Sequence, residues 1–146
     1  MIERDPRVHS RSMIHGSLSE APDFNDAVRR LEAVLVDCGE VAVALSGGVD
    51  SLTLAGFALQ VLADRAALVH AVSPAVPAEA TSRVKAFAAE RGAALVVLDA
   101  GEFADEAYRA NPLNRCYFCK SHLYDAIRSR FKVTVLSGTN VDDLGD

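Results

Sequence analysis

The feature that most constrains the fold is an apolar run that ends in two adjacent glycines. Residues 41–45 (VAVAL) are all apolar, and residues 46–51 (SGGVDS) follow directly. This order predicts a short buried strand that passes through a tight turn into a helix. Because the first N–H groups of a helix have no partner within it, such a corner can bind an anion. Gly47 and Gly48 lack a Cβ and let the backbone approach a phosphate closely.

Polar side chains around this turn favour a phosphate site. Ser46 and Ser51 place hydroxyl donors at either end of the turn. Asp50 would repel phosphate unless a divalent cation lay between them, so its presence predicts Mg²⁺. The alternative is an ordinary strand–turn–helix corner, because glycine, aspartate and serine are common in turns and helix caps. Since residues 46–51 all fit one chemistry, phosphate binding is the favoured interpretation.

Helical and strand patterns alternate along the chain. Apolar residues at three- and four-residue steps predict helices over residues 24–38, 50–63, 78–91, 102–110 and 118–131. Apolar runs predict strands over residues 41–45, 67–73, 94–98 and 133–136. This alternation predicts an α/β fold, a doubly wound parallel sheet with helices on both faces and right-handed crossovers.

Several residues lie at the ends of the predicted strands or directly after them. They are residues 46–51, Ser73, Asp99 and residues 137–140. Because ligands of such sheets bind beyond the carboxyl ends of the strands, we expect these residues to share one rim. Residues 1–22 lack periodicity and predict a mobile N-terminal arm, which leaves residues 23–146 as one domain.

Composition excludes several classes of protein. The 146 residues carry a net charge of −5 without a basic run, which argues against a nucleic-acid-binding protein. The odd count of three cysteines argues against a disulfide framework and predicts a reducing, cytoplasmic compartment. Residues 52–76, the most apolar region, are interrupted by charged and polar residues, so no membrane span is expected. His70 lies within an apolar strand and is expected to be a hydrogen-bonded core residue.

The phosphate loops of other nucleotide-binding families are absent from the sequence. No Gly-Lys-Ser/Thr follows a glycine-rich turn, and Gly-x-Gly-x-x-Gly does not occur. The remaining motif, SGGVDS at residues 46–51, resembles the pyrophosphate loop of the N-type ATP pyrophosphatases, the PP-loop superfamily. The resemblance implies a Rossmann-like, adenine nucleotide alpha hydrolase-like fold. It also implies that the β,γ-phosphates of ATP lie on Ser46, Gly47 and Gly48.

The same resemblance implies roles for the neighbouring residues. Asp50 and Ser51 would be catalytic, with Asp50 also holding Mg²⁺. Adenine would lie against the ends of the first two strands, at Ala44 and Ser73. Members of the superfamily activate a substrate oxygen by its attack on the α-phosphate, which gives an adenylated intermediate and pyrophosphate.

Two further segments narrow the resemblance. Residues 111–120 (NPLNRCYFCK) and 138–143 (GTNVDD) are similar to the ATP-dependent sacrificial sulfur transferases, which act in assembly of a nickel-pincer cofactor. This implies that Gly138, Thr139 and Asn140 bind the nucleotide. It also implies a small-molecule substrate, a pyridinium carboxylate mononucleotide that is adenylated and becomes a thiocarboxylate. Members of this family continue past the equivalent of residue 146, so we expect the sequence to lack its C-terminal part.

In that family the sulfur comes from a consumed cysteine or by way of an iron–sulfur cluster. In the full-length form, Cys116 and Cys119 would supply two ligands of a [4Fe–4S] cluster, and the further cysteine that the cluster needs is expected beyond residue 146. The alternative is an unligated pair at the start of a helix. Asp142 and Asp143 are candidates to hold Mg²⁺ or substrate, and a solvated acidic tail is the alternative.

Two other functions stay open at this point. An ammonia-dependent synthetase on the same loop would form an amide through an acyl adenylate. A nucleotide-binding module without turnover is the second alternative. Cys116 and Cys119 favour sulfur transfer, because ammonia chemistry needs no thiol there. The sequence leaves open whether the protein forms a homo-oligomer.

Overall fold

Helices and strands alternate through the chain, as the sequence patterns predict. The structure, a computed structural model, describes residues 23–99 and 124–140. The elements are α1 (Phe24–Cys38), β1 (Val41–Ala44), α2 (Val49–Leu62), a 3-10 turn (Ala63–Arg65), β2 (Ala66–Val72), α3 (Ala78–Glu90), β3 (Leu95–Asp99), α4 (residues 124–131) and β4 (Thr134–Ser137). Where predicted bounds differ from these within the described residues, they differ by one residue. The predicted start of the last helix, at residue 118, lies outside the described residues. The predicted helix over 102–110 and the predicted N-terminal arm lie outside the described residues.

The four strands form one parallel sheet in the order β3-β2-β1-β4. In the register of this sheet, Val41 of β1 pairs with Ala66 of β2 on one side and Thr134 of β4 on the other. All of β1 is buried, which explains why its sequence is apolar without alternation. The predicted doubly wound parallel sheet is therefore confirmed.

Alternate residues of β1 point into two separate cores. Val41 and Val43, with Leu45 directly after the strand, pack with α1, α2 and α3 on one face of the sheet. Ala42 and Ala44 pack with Ile127 of α4 on the other face. The chain steps from β1 to β2 and β3 in one direction, whereas β4 lies on the opposite side of β1. Since crossovers are right-handed, helices of the two directions cover opposite faces, and the direction reverses between β1 and β4.

The buried face of α1 is narrower than the apolar pattern of its sequence indicates. Leu35 is buried at 1% exposure, whereas Phe24 is 77% exposed and Val34 is 57% exposed. Cys38, the last residue of α1, is half-buried against the core. The physical reason is that α1 contacts its helical neighbour α2 and lies at the side of the layer, so only a thin strip of its surface is covered.

Two adjacent positions of α1 test its orientation, in which Leu35 faces the core and Val34 faces solvent. We expect Leu35→Val to lower the free energy of unfolding by about 1 kcal/mol, because it removes a buried methylene and leaves a small cavity. Val34→Ala should change the same quantity by less than about 0.5 kcal/mol. Urea denaturation of both variants measures the difference. Equal losses would contradict the observed orientation of α1.

No helix in residues 23–99 and 124–140 is both long and apolar enough to cross a membrane.

Candidate functional site

Two serine side chains hold the turn between β1 and α2. The buried Ser51 Oγ accepts the N–H of Ser46 at 3.2 Å and donates to the Gly48 carbonyl oxygen at 3.0 Å. Ser46 Oγ accepts the Gly48 N–H at 3.2 Å and lies 3.1 Å from Ser51 Oγ. The two hydroxyls therefore bond within the turn and fix its shape. Their predicted contact with phosphate stays a prediction.

The first turn of α2 presents an uncapped helix end. Gly48 is the residue before the helix, and it has extended backbone angles and no side chain with which to cap it. The first intrahelical bond runs from the Leu52 N–H to the Gly48 carbonyl oxygen at 3.2 Å. The N–H groups that precede Leu52 consequently have no partner within the helix. Together with the helix dipole, they form a site that suits an anion.

Gly47 is required by the geometry of the turn. Its φ is +86°, in the left-handed region that favours glycine. A Cβ at this position would lie 2.8 Å from the carbonyl oxygen of Ala80 in the first turn of α3. The backbone of the turn and the start of α3 therefore approach more closely than any other residue would allow.

The residues after β4 meet the start of α2 at the point where the sheet changes direction. A Cβ on Gly138 would lie 2.5 Å from the Ser51 amide nitrogen, so the two backbones are in close contact. Asn140 Nδ2 donates to Asp50 Oδ2 at 3.1 Å. The Thr139 hydroxyl lies 3.1 Å from that of Ser137 and contacts this neighbour within the same loop. The structure thus brings Gly138 and Asn140 to the loop, as the sequence predicts.

Asp50 is the described residue that best fits a magnesium ligand. Its carboxylate is exposed beside the first turn of α2. Within residues 23–99 and 124–140 there is no group of three or more His, Cys, Asp or Glu side chains that could hold a metal. One carboxylate is nevertheless sufficient for Mg²⁺, which commonly takes its other ligands from water and substrate phosphates. Asp142 and Asp143 lie outside the described residues.

The predicted adenine side of the rim is formed by the ends of β1 and β2. Ser73 follows β2, and its Oγ accepts the N–H of Ala75 at 3.2 Å. Ala44 ends β1 with its side chain buried in the core that contains α4. Asp99, which was expected to follow β3, is the last residue of that strand and pairs with Val72. Contact of Ala44 and Ser73 with adenine stays a prediction.

The cysteine pair lies outside the described residues. The predicted ligation of a cluster by Cys116 and Cys119 therefore stays a prediction. Cys38 lies at the end of α1, just before β1 begins, whereas the candidate loop follows the end of β1. Because these two ends of β1 lie at opposite edges of the sheet, Cys38 is remote from the loop.

Three residues around the loop, Arg83, His70 and Thr81, make contacts that the sequence pattern does not predict. Arg83 Nε of α3 donates to the Gly47 carbonyl oxygen at 3.0 Å. His70 is buried, as expected, and both its ring nitrogens are hydrogen-bonded, to the Leu45 carbonyl and the Thr81 hydroxyl. The order of elements predicts the neighbourhood of Arg83 and Thr81, because a helix that follows β2 must begin at the same rim as the loop. Both residues lie near the start of that helix.

A cleft lies beside the loop, between α2 and α3. Its volume is about 540 Å³, and its lining includes Gly47, Gly48 and Arg83. Arg91, which also lines the cleft, stacks on Phe87 with its guanidinium carbon 3.9 Å from the ring centroid. The cleft is therefore bordered by two cationic side chains.

The chain is similar to a curated protein over part of its length. No family model matches the chain. The chain is 41% identical over 108 residues to slr1717, an uncharacterized protein of Synechocystis sp., in a match that covers 71% of the chain. The chain spans about 40% of the length of this relative.

Two solved structures share the fold at low sequence identity. An NH3-dependent NAD synthetase from Campylobacter jejuni, in complex with the nitrate ion, has a TM-score of 0.68 at 15% identity, over 85% of this chain and 60% of that one. A glutamine-dependent NAD+ synthetase from Acinetobacter baumannii, in complex with ADP, has a TM-score of 0.64 at 17% identity, over 82% and 26%. The chain therefore has the Rossmann-like α/β fold that these two NAD synthetases share.

Proposed function

We propose that this chain forms an ATP-binding domain that adenylates a carboxylate and releases pyrophosphate. The observation that carries the proposal is the glycine turn at the uncapped start of α2, with Asp50 and Asn140 beside it. The fold of the NAD synthetases supports the proposal, because one of them is solved in complex with an adenine nucleotide. The rim of the sheet supports it as well, since Ser73 and Gly138 follow the two strands that flank β1.

The residues of the turn suit the pyrophosphate part of ATP. Backbone N–H groups at the start of α2 would donate to phosphate oxygens, and the closeness of Gly47 to α3 holds those donors in place. Magnesium held by Asp50 would offset the negative charge of the phosphates. The carboxylate oxygen of the substrate attacks the α-phosphorus, and the bond from that phosphorus to the bridging oxygen breaks. Pyrophosphate leaves with the electron pair, so positioning and charge account for most of the catalysis.

Product analysis tests this proposal. The protein is mixed with Mg·ATP and a pyridinium carboxylate mononucleotide, and the nucleotide products are separated by chromatography. We expect AMP and pyrophosphate in equal amounts after hydrolysis of the adenylate. ADP with inorganic phosphate would show attack at the γ-phosphate and contradict the proposal, as would an absence of ATP binding in a calorimetric titration.

We propose that the nucleophile that attacks the adenylated carboxylate is sulfur, as in the sacrificial sulfur transferases. The support is the Cys116 and Cys119 pair and the resemblance at residues 138–143. Hydrosulfide would attack the acyl carbon, the bond from that carbon to the phosphate oxygen would break, AMP would leave with the electron pair, and a thiocarboxylate would form. With a cysteine thiolate as the nucleophile, a thioester would form first, and its Cβ–S bond would then break with loss of the Cα proton to release the thiocarboxylate. Amide formation is the second candidate, and the likeness to an NH3-dependent NAD synthetase favours it.

Parallel reactions separate sulfur transfer from amide formation. One reaction contains hydrosulfide and the other contains ammonium, each with Mg·ATP and the same mononucleotide. Mass spectrometry distinguishes a thiocarboxylate from a carboxamide. A carboxamide alone would contradict the proposal of sulfur transfer and leave the adenylation step intact.

An iron–sulfur cluster on Cys116 and Cys119 belongs to the same proposal, with a further cysteine of the protein as a ligand. Iron and acid-labile sulfide are measured in anaerobically purified protein and in Cys116→Ser. We expect the cluster in the unsubstituted protein and its loss in the variant. An equal cluster content in both proteins would exclude this ligand set.

A further inference from the structure

A buried histidine connects three elements around the candidate phosphate loop. His70 of β2 is 1% exposed. Its Nδ1 lies 2.7 Å from the carbonyl oxygen of Leu45, the residue between β1 and the serine–glycine turn. Its Nε2 lies 2.9 Å from Thr81 Oγ1 in the first turn of α3. One side chain thus joins β2, the entry to the loop and α3.

The two hydrogen bonds fix the direction in which each partner donates. A carbonyl oxygen can only accept, so the Leu45 contact places a proton on Nδ1. In the neutral ring Nε2 then accepts, and the Thr81 hydroxyl donates to it. This tautomer follows from the hydrogen-bond partners. Both ring nitrogens are therefore satisfied, as a buried imidazole requires.

The part of α3 that contacts His70 also touches the loop itself. Ala80 precedes Thr81, and its backbone is the surface that a Cβ on Gly47 would meet. Half a turn later, Arg83 donates to the Gly47 carbonyl oxygen at 3.0 Å. The first turns of α3 therefore hold the loop at Gly47, while His70 ties these turns to Leu45.

We propose that His70 and Thr81 are positioning residues that fix the serine–glycine loop against α3. An apolar residue would fill the core at position 70 equally well, so the core alone does not account for a side chain that bonds at both ends. Helix α3 would otherwise be free to shift relative to β1, and the loop with it. The part of this inference that concerns ATP binding rests on the function proposed above.

The test compares Thr81→Val with Thr81→Ser. Valine keeps the branched shape and the helical preference of threonine but removes the hydroxyl, which leaves His70 Nε2 without its donor. Serine retains the hydroxyl. We expect Thr81→Val to speed amide hydrogen exchange at Ser46 and Gly48 about tenfold, the effect of one lost, partly buried hydrogen bond. It should weaken Mg·ATP binding by a similar factor, and Thr81→Ser should restore both.

A third variant separates positioning from general stability. Ile127→Val lowers stability from the opposite face of the sheet, where Ile127 packs beneath Ala42 and Ala44. We expect it to lower the melting temperature and leave the relative exchange rates of Ser46 and Gly48 unchanged. If Thr81→Val and Ile127→Val have the same exchange at the loop, the positioning role is excluded. The exchange measurement needs no ATP, so if the unsubstituted protein fails to bind ATP, only the proposed function fails.

Discussion

Replacement of Asp50 by asparagine is expected to weaken binding of Mg·ATP about 100-fold, the scale of one lost charged interaction. Asparagine has nearly the same shape, and its side-chain oxygen can still accept the hydrogen bond from Asn140. The carboxylate is exposed, so the core does not depend on its charge. We therefore expect the melting temperature to change by less than about 3 °C. Calorimetric titration and a thermal melt measure the two quantities.

Asp64 is the matched control for this variant. It is also an exposed aspartate, and it follows the opposite end of α2, in the 3-10 turn. Asp64→Asn changes the net charge of the protein by the same amount without touching the loop. We expect unaltered affinity for Mg·ATP. Equal affinities of the Asp50 and Asp64 variants would remove Asp50 from the proposed site.

Replacement of Gly47 by alanine is expected to lower the free energy of unfolding by about 3 kcal/mol, from backbone strain and overpacking combined. The φ of +86° is unfavourable for alanine. The added methyl group would also overlap the backbone of Ala80, which cannot swing aside as a flexible side chain could. Urea denaturation measures the loss. Since α3 must move to relieve the contact, the affinity for ATP should fall as well.

The neighbouring glycine gives the comparison. Gly48 has a φ of −82°, and a Cβ there would meet Ser46 Oγ at an ordinary 3.4 Å. We expect Gly48→Ala to cost less than about 1 kcal/mol in stability. Similar losses for the two alanine variants would contradict the close approach of the turn to α3.

The local part of the site could be predicted from the sequence. The strand, the turn and the start of α2 are consecutive residues, so apolar content and turn chemistry determine them without knowledge of distant contacts. The rim could also be anticipated, because parallel strands with right-handed crossovers bring their carboxyl ends to one edge. Accordingly, Gly138 and Asn140 lie beside the loop as expected.

The contacts made across the fold could not be read from residue spacing. The order of elements places the start of α3 at the rim, but it does not indicate that the side chains of Arg83 and Thr81 reach Gly47 and His70, because the rotation of α3 about its axis is set by tertiary packing. The exposure of Val34 has a similar cause, since an apolar residue in a helical pattern does not report how much of that helix the neighbouring layer covers.

The pairing of β1 with β4 has a consequence for the order in which the site forms during synthesis. During synthesis, α1 and β1 through β3 emerge from the ribosome first, and they include the serine–glycine turn. Gly138 and Asn140 follow much later, and only then can they close against Ser51 and Asp50. Such long-range parallel pairing is slow to form, because the ends of a long loop must meet first. A nascent chain would therefore hold a formed turn before docking of β4 brings Gly138 and Asn140 to the candidate phosphate site.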